Sequence, residues 1–256
     1  MVDFNQGPPI PLQKVLHAYA GLARPGTYFA PTRNLPSMAP IGLVGFGVSA
    51  TFMGLILLPA RHVTIPNYGV GLAWFAGGAG LLLGGLWDWL LENTHGMAIQ
   101  CAFGLFWFSF AAVYTPSFGV ASAFLTYAAE NVDSMPGKYA SATEWGLSML
   151  NTAFGIWAIS WACLCFTVVL ILLKSTVAFL SCLSCVFLLF LFLAIAKMEP
   201  SIALGKVSSV FNILAGVFAL YNAFTGIMTK ENSYVKLKAI NLPSPSAPVK
   251  EELPDF

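Results

Sequence analysis

Six long apolar segments dominate the sequence and restrict the fold that it can adopt. Because an α-helix rises about 1.5 Å per residue, about 20 residues cross the ~30 Å hydrocarbon core of a bilayer, and each segment is that long or nearly so. The chain is 57% hydrophobic and only 9% charged, whereas soluble domains average about 25% charged residues. The sequence therefore predicts an all-α integral membrane protein with six transmembrane helices in one bundle. The segments run from about Pro40 to Pro59, Tyr68 to Leu91, Met97 to Val113, Gly146 to Leu173, Ser175 to Ala196 and Val207 to Ile227.

The second apolar segment is rich in glycine, and a short polar hinge, Glu92 to Gly96, joins it to the third. A hinge this short makes the two helices antiparallel neighbours. Ala76, Gly80 and Gly84 recur at four-residue spacing, and rows of small residues let helix backbones approach closely in lipid. Asp88 is the next position on this row and is the only carboxylate within the apolar segments. Because a carboxylate exposed to lipid is costly, we expect Asp88 to face protein, a cavity or the headgroups.

The remaining sequence divides the chain into three parts. Residues 1–36 are rich in proline and predict a partly disordered N-terminal segment, with one short helix between Pro11 and Ala23. Residues 37–228 form the membrane domain, whose longest loop contains a predicted interfacial helix from Phe118 to Ala129. Residues 229–256 end in proline, serine and acidic residues, which are typical of a disordered tail.

The basic residues predict the orientation of the chain. Six spans put both termini on one side, and the segments on that side hold eight of the 12 Lys and Arg residues, whereas the opposite loops hold four. Basic residues are enriched on the cytosolic side of membrane proteins, so both termini are predicted to be cytosolic. The eight are Lys14, Arg24, Arg33, Lys174, Lys230, Lys236, Lys238 and Lys250, and the four are Arg61, Lys138, Lys197 and Lys206.

The sequence contains no recognisable catalytic motif. It has no P-loop, no HExxH and no GxSxG, and its three histidines lie outside the apolar segments. Cys182-x-x-Cys185 lies within an apolar segment without a nearby histidine or acid, so we interpret it as packing. The near balance of 12 basic and 11 acidic residues argues against a nucleic-acid partner. We therefore expect no enzyme, no metal site and no cofactor, but a narrow pore or transporter for a small solute in the lipid bilayer.

Several short motifs follow one another between residues 38 and 228. The first is Ala-Pro-Ile-Gly-Leu-Val-Gly-Phe, from Ala39 to Phe46. The others are Gly77-Gly78, Gly85-Leu86, Asp88, Asn93-Thr94, Gly96, Gly104-Leu105-Phe106-Trp107, Lys174 to Phe179, Leu193 to Ile195 and Ala219 to Tyr221. In this order they resemble the motifs of the acetate uptake transporter family, the succinate–acetate permease group that includes fungal acetate and ammonia-export proteins.

The resemblance implies a plasma-membrane transporter or channel for small monocarboxylates such as acetate, with or without proton symport. It also implies a homo-hexamer with a substrate path through each protomer. Two alternatives stay open, an exporter of ammonium or ammonia and a non-transporting sensor of carbon source with the same fold.

The resemblance also implies where a carboxylate anion would pass. By ungapped register, the family's narrow hydrophobic ring corresponds to Phe46, Phe103 and Val186. The start of the first helix would present backbone N–H groups to an anion, because helix N-termini favour negative charge. The residues at this start are Ala39, Pro40 and Gly42.

Five further residues and three departures from the family pattern complete the candidate site. Trp107 and Asn212 are candidates for binding the substrate. Asp88, with Asn93 and Thr94 beside it, is either a proton-coupling group or a structural part of the hinge. The chain has Ser37-Met38, Leu81 and Phe103 where the family has Asn-Pro, a glutamine and a tyrosine.

Overall fold

The protein is described here from a computed structural model that covers residues 36–58, 63, 65–228 and 232–242. Six helices in these ranges are long and apolar enough to cross a membrane, which confirms the predicted all-α membrane bundle. A shorter helix, α4, corresponds to the one predicted between Phe118 and Ala129. The helices are α1 (Ala39–Leu57), α2 (Tyr68–Leu90), α3 (Thr94–Tyr114), α4 (Val120–Glu130), α5 (Ala142–Ile171), α6 (Val177–Met198) and α7 (Ile202–Ile227).

Three of the spans, α3, α5 and α7, begin three to five residues earlier in the chain than their apolar segments. Asn93 caps α3, because its side chain accepts a hydrogen bond from the Gly96 N–H at 3.1 Å. Ser201 caps α7 in the same way by accepting from the Leu204 N–H. Side-chain caps satisfy N–H groups that a helix start leaves without partners, so the helices extend into polar sequence that hydropathy alone excludes.

The middle of α2, from Leu72 to Ala79, winds as a π-helix rather than an α-helix. Ser49 of α1 donates a hydrogen bond to the Leu72 carbonyl at 3.3 Å. In this segment, Ala76 lies against Gly45 of α1, whereas Gly77 lies against Trp107 of α3. The unusual winding, which is frequent at functional sites, therefore lies where α2 contacts both neighbouring helices.

Glycines bring α1 into backbone contact with α2 and with α7. A Cβ atom on Gly54 would lie 2.8 Å from the Ser209 carbonyl oxygen of α7, which is closer than real side chains approach. On the other side, a Cβ on Gly84 of α2 would lie 3.4 Å from the Met38 carbonyl oxygen. The predicted row Ala76, Gly80 and Gly84 thus faces α1, as expected for small residues in a membrane helix pair.

The spans neighbour one another in the order α3, α2, α1, α7, α6 and α5. Aromatic side chains connect the two ends of this series, because the Phe106 ring of α3 stacks on Trp157 of α5 with centroids 5.1 Å apart. Phe106 also contacts Trp161 of α5 and Phe190 of α6, each at 5.1 Å between centroids. Large rings therefore join α3 to α5, whereas small residues join α1 to its neighbours.

Residues 232–242 follow a defined path, although they belong to the segment expected to be disordered. The Val177 N–H donates to the Ile240 carbonyl at 2.8 Å, and the Leu242 N–H donates to the Ser175 carbonyl at 2.9 Å. The Tyr221 hydroxyl donates to the Lys238 carbonyl at 2.9 Å. These bonds attach the segment to the start of α6 and the end of α7. The predicted N-terminal helix and the tail beyond residue 242 lie outside the described residues, and the side that the termini face stays a prediction.

Candidate functional site

Two apolar cavities lie inside the bundle, separated by the aromatic side chains of Phe46 and Phe103. The first extends toward the end of α1 and includes Met53 and Leu57, and the second extends toward its start and includes Leu43. Phe46 and Phe103 line both cavities, and their ring centroids are 6.1 Å apart in an edge-to-face arrangement. A solute that moves from one cavity to the other must therefore pass or displace this pair.

The structure brings the predicted ring residues together at the first cavity. Phe46 of α1, Phe103 of α3 and Val186 of α6 all line it. The three side chains are 8%, 3% and 1% exposed. Their grouping depends on the packing of three helices that are distant in sequence, and all three side chains are apolar.

The two predicted binding candidates, Trp107 and Asn212, also line the first cavity. The Trp107 indole lies against Gly77, where a Cβ atom would come within 2.7 Å of its ring. Its buried N–H has no hydrogen-bond acceptor among the described residues. A buried donor without a partner costs about 1–3 kcal/mol of free energy. A solute in this cavity that accepts a hydrogen bond from Trp107 would remove this cost.

Aromatic residues that are not among the predicted site residues complete the wall of this cavity. Phe106, Phe110, Phe154, Trp157 and Phe190 line it. The three- and four-residue spacings of these aromatics on α3 and α5 already indicate a shared helix face. Which helix lies opposite that face is not visible in the spacing.

A hydrogen-bonded cluster around Asp88 holds the hinge between α2 and α3. Asp88 is 1% exposed, so it faces protein and not the headgroups. Its Oδ2 accepts from Gln100 Nε2 at 2.7 Å and from Asn93 Nδ2 at 3.2 Å. Gly96 is required beside it, because a Cβ there would overlap the carboxylate. Thr94 is exposed at the first position of α3, so the polar hinge residues form a turn around one buried acid.

Gln100 is a candidate that the predicted site omits. It is 5% exposed and lines the second cavity beside Leu81, the residue that stands where the family has a glutamine. Its Oε1 lies against Gly42 and Gly84 and has no hydrogen-bond donor among the described residues. The carboxamide missing from α2 is therefore present in the same cavity wall, supplied by α3. A lone glutamine in an otherwise apolar helix was the signal that could have identified it.

The start of α1 lies outside the two cavity walls. Ala39 and Pro40 line neither cavity, and Gly42 only packs against Gln100 and Leu81. The Ala39 N–H donates to Ser37 Oγ at 3.2 Å, and the Ile41 N–H donates to the Met38 carbonyl at 3.0 Å. Since proline has no N–H, few backbone donors remain at this helix start for an anion.

We expect Asp88→Ala to lower the stability of the protein markedly and Asp88→Asn to lower it less. Alanine leaves the buried Gln100 amide without its acceptor, and a buried unsatisfied donor costs about 1–3 kcal/mol, whereas the exposed Asn93 amide can bond to water instead. Asparagine keeps one oxygen as acceptor. Unfolding temperatures in detergent measure both effects, with Asp133→Ala in an exposed loop as the control. Equal unfolding temperatures for the three variants would show that the cluster does not hold the hinge.

Comparison with known proteins places this arrangement in a family. Residues 19–244 match the GPR1/FUN34/yaaH family. The ammonia transport outward protein 2 of Saccharomyces cerevisiae is 33% identical over 230 residues, which cover 90% of this chain and 75% of that protein. Acetate permease A of Emericella nidulans is 31% identical over 256 residues, covering 94% of this chain and 78% of that protein.

A solved structure shares the fold. The bacterial acetate channel SatP superposes with a TM-score of 0.58 at 19% sequence identity, covering 75% of this chain and 92% of that one. The family match over residues 19–244 and the two relatives that are 31–33% identical confirm the resemblance drawn from the motifs. By the match over most of its length and by these relatives, the chain is a member of the GPR1/FUN34/yaaH family.

Proposed function

We propose that the protein is a transporter or channel that carries small monocarboxylates such as acetate through its own six-helix bundle. The observation that carries the proposal is the pair of in-line cavities, with an unpartnered Trp107 N–H and the Asn212 amide in the first and Gln100 in the second. Among the described residues, none that lines either cavity is acidic. The Trp107 N–H and the Asn212 amide N–H groups are hydrogen-bond donors without fixed negative charge, which suits a carboxylate better than a cation. Gln100 is not such a donor, because its Nε2 donates to Asp88 and its unpartnered atom is the acceptor Oε1. The names of the acetate permease and acetate channel relatives support this substrate class.

In this proposal the aromatic pair controls passage. A small carboxylate in the first cavity accepts a hydrogen bond from Trp107 and presents its methyl group to the aromatic wall. It then passes Phe46 and Phe103 with little hydration and enters the second cavity. Since dry apolar constrictions hinder the passage of charge, the pair limits both the rate and the size of the solute.

Asp88 has a structural role in this proposal. It lines neither cavity and already accepts two amide hydrogen bonds, so it fixes the orientation of Gln100. Transport then does not depend on a proton carried by this carboxylate.

The proposed setting is a homo-hexamer in the plasma membrane with both termini cytosolic and no catalytic activity. Strongly exposed apolar side chains on the outer surface, such as Phe75 at 77% and Ile156 at 57%, support contact with lipid or with neighbouring protomers. The unequal distribution of basic residues supports the orientation.

A second candidate is export of ammonium, which one observation favours. Faces of tryptophan and phenylalanine dominate the first cavity, and such faces attract cations within about 6 Å. A relative is named an ammonia transport outward protein. The two candidates predict opposite responses to a positive charge near the cavity.

Uptake of labelled acetate and of labelled methylammonium into the same preparation of proteoliposomes tests the proposal. We expect acetate uptake well above that of protein-free liposomes, and little uptake of methylammonium. The reverse pattern would establish the ammonium candidate. Uptake of neither compound by folded protein would favour a sensor without transport.

We expect Phe46→Ala to admit larger monocarboxylates such as lactate. Removing the ring joins the two cavities, at a cost of about 3–5 kcal/mol in stability that Phe46→Leu should reduce. The measurement is competition of unlabelled lactate against labelled acetate uptake. Phe108→Ala is the matched control, because Phe108 lies on α3 against Trp74 and lines neither cavity. Unchanged competition in folded Phe46→Ala would show that Phe46 does not set the size limit.

A further inference from the structure

The cavity-lining face of α6 ends in a lysine. Val186, Leu189, Phe190 and Leu193 line the first cavity at three- and four-residue intervals, and Lys197 is the next position on that face. Residues three and four apart on a helix lie above one another on one face. Lys197 therefore stands at the end of the first cavity that is farther from Phe46 and Phe103.

Two residues of α5 hold the lysine there. Lys197 Nζ donates to Asn151 Oδ1 at 3.2 Å and lies 5.4 Å from the centroid of the Phe154 ring. Phe154 itself lines the first cavity. The ammonium is thus one aromatic ring away from the cavity, and contacts on the protein restrain its position.

No ion pair neutralises this charge within the part of the chain that the structure describes. If the Lys197 side chain simply extended its ammonium group into the water at the headgroups, it would not need the contacts with Asn151 and Phe154. Favourable interaction with the C-terminal dipole of α6 explains a basic residue in the last turn, but not its position over a cavity wall.

We propose that Lys197 is a charge-selectivity residue, which raises the local concentration of small carboxylate anions at the mouth of the first cavity. A fixed positive charge beside a low-dielectric cavity concentrates anions and repels cations. The inference rests on the proposed carboxylate transport and adds the group that recognises the charge of the substrate. Asn151 and Phe154 are positioning residues for it.

Equilibrium exchange of labelled acetate in proteoliposomes tests this role. At equal acetate concentrations on both sides, the fluxes in the two directions must be equal, so a change at one mouth is detected whichever way the protein is inserted. We expect Lys197→Gln to lower exchange about fivefold at ~0.01 M ionic strength, where charges act over ~30 Å, and less than about twofold at ~1 M, where they act over ~3 Å. Lys197→Arg should retain the exchange rate of the unmodified protein.

Lys206→Gln is the matched control. Lys206 lies near the start of α7, the helix that follows α6 after a short loop, and its side chain is exposed. We expect its exchange rate to stay within about 1.5-fold of the unmodified protein at both ionic strengths. Exchange by folded Lys197→Gln that equals the unmodified rate, or that falls equally at low and high ionic strength, would overturn the role of Lys197 alone. Absence of acetate exchange in the unmodified protein would instead overturn the proposed function, and with it this inference.

Discussion

Phe103→Tyr is expected to raise acetate flux about tenfold. Phe103 lies between the two cavities and is 3% exposed, so an anion that passes it has lost most of its hydration. The change adds a hydroxyl at the point where the family pattern has a tyrosine. A charge-assisted hydrogen bond returns about 1.5–3 kcal/mol, and ~1.4 kcal/mol corresponds to one factor of ten.

The pH dependence of the gain in flux shows whether the acetate anion or neutral acetic acid passes Phe103→Tyr more easily. Raising the external pH increases the ratio of acetate to acetic acid while the mutation stays constant, so a gain that grows with pH indicates passage of the anion. Neutral acetic acid or ammonia would gain far less. Phe108→Tyr, on the face of α3 that packs against Trp74, is the control and should leave flux unchanged. No gain at any pH in a folded Phe103→Tyr variant would mean that this ring does not contact a permeating anion.

Gly45→Ala is expected to cause the largest loss of folded protein. A Cβ on Gly45 would lie 2.8 Å from the Ala76 carbonyl carbon and would overlap its oxygen. Both atoms belong to the backbone of α2, so no side chain can move aside. Overpacking costs about 1–3 kcal/mol or more, which outweighs the gain of about 1 kcal/mol that alanine normally brings over glycine in a helix. Unfolding temperature and yield in detergent measure the result.

Two other glycines provide matched controls for this prediction. Gly71→Ala should be neutral or slightly stabilising, because no atom of the described residues, apart from the adjacent backbone of its own helix, lies within 4 Å of its Cβ position. Gly84→Ala should give an intermediate loss, since the Cβ would lie 2.5 Å from Gln100 Oε1, the end of a flexible side chain. If Gly45→Ala is as stable as Gly71→Ala, the α1–α2 contact does not limit the fold.

Prediction from sequence succeeded for features that depend on the residues of one short segment of the chain. The row Ala76, Gly80 and Gly84 predicted a close helix contact, and these positions do face α1. The short hinge predicted antiparallel neighbours, and α2 and α3 pack against each other. The caps at Asn93 and Ser201 determine where α3 and α7 begin, and the extent of the apolar segments alone predicted both starts too late in the chain.

The residues that line the cavity come from segments that are far apart in the sequence, so predicting them required knowing which helices are neighbours. The resemblance proposed Phe46, Phe103 and Val186 as a group, but not the Phe106–Trp157 stack that joins α3 to α5. Gln100 was missed because its significance depends on Leu81, which faces the same cavity from another helix. Such relations appear only when the neighbours of each helix are known.

The sequence by itself determined the membrane setting, the six spans and the small-residue rows, because hydropathy and residue spacing are local properties of a chain. The tertiary structure decided that Asp88 is buried against Gln100, that the Trp107 N–H has no acceptor among the described residues and that Lys197 lies at the end of the first cavity. The physical reason is that an apolar helix can bury any of its faces in a bundle. Packing against specific neighbours selects which face lines a cavity, and that selection depends on every helix at once.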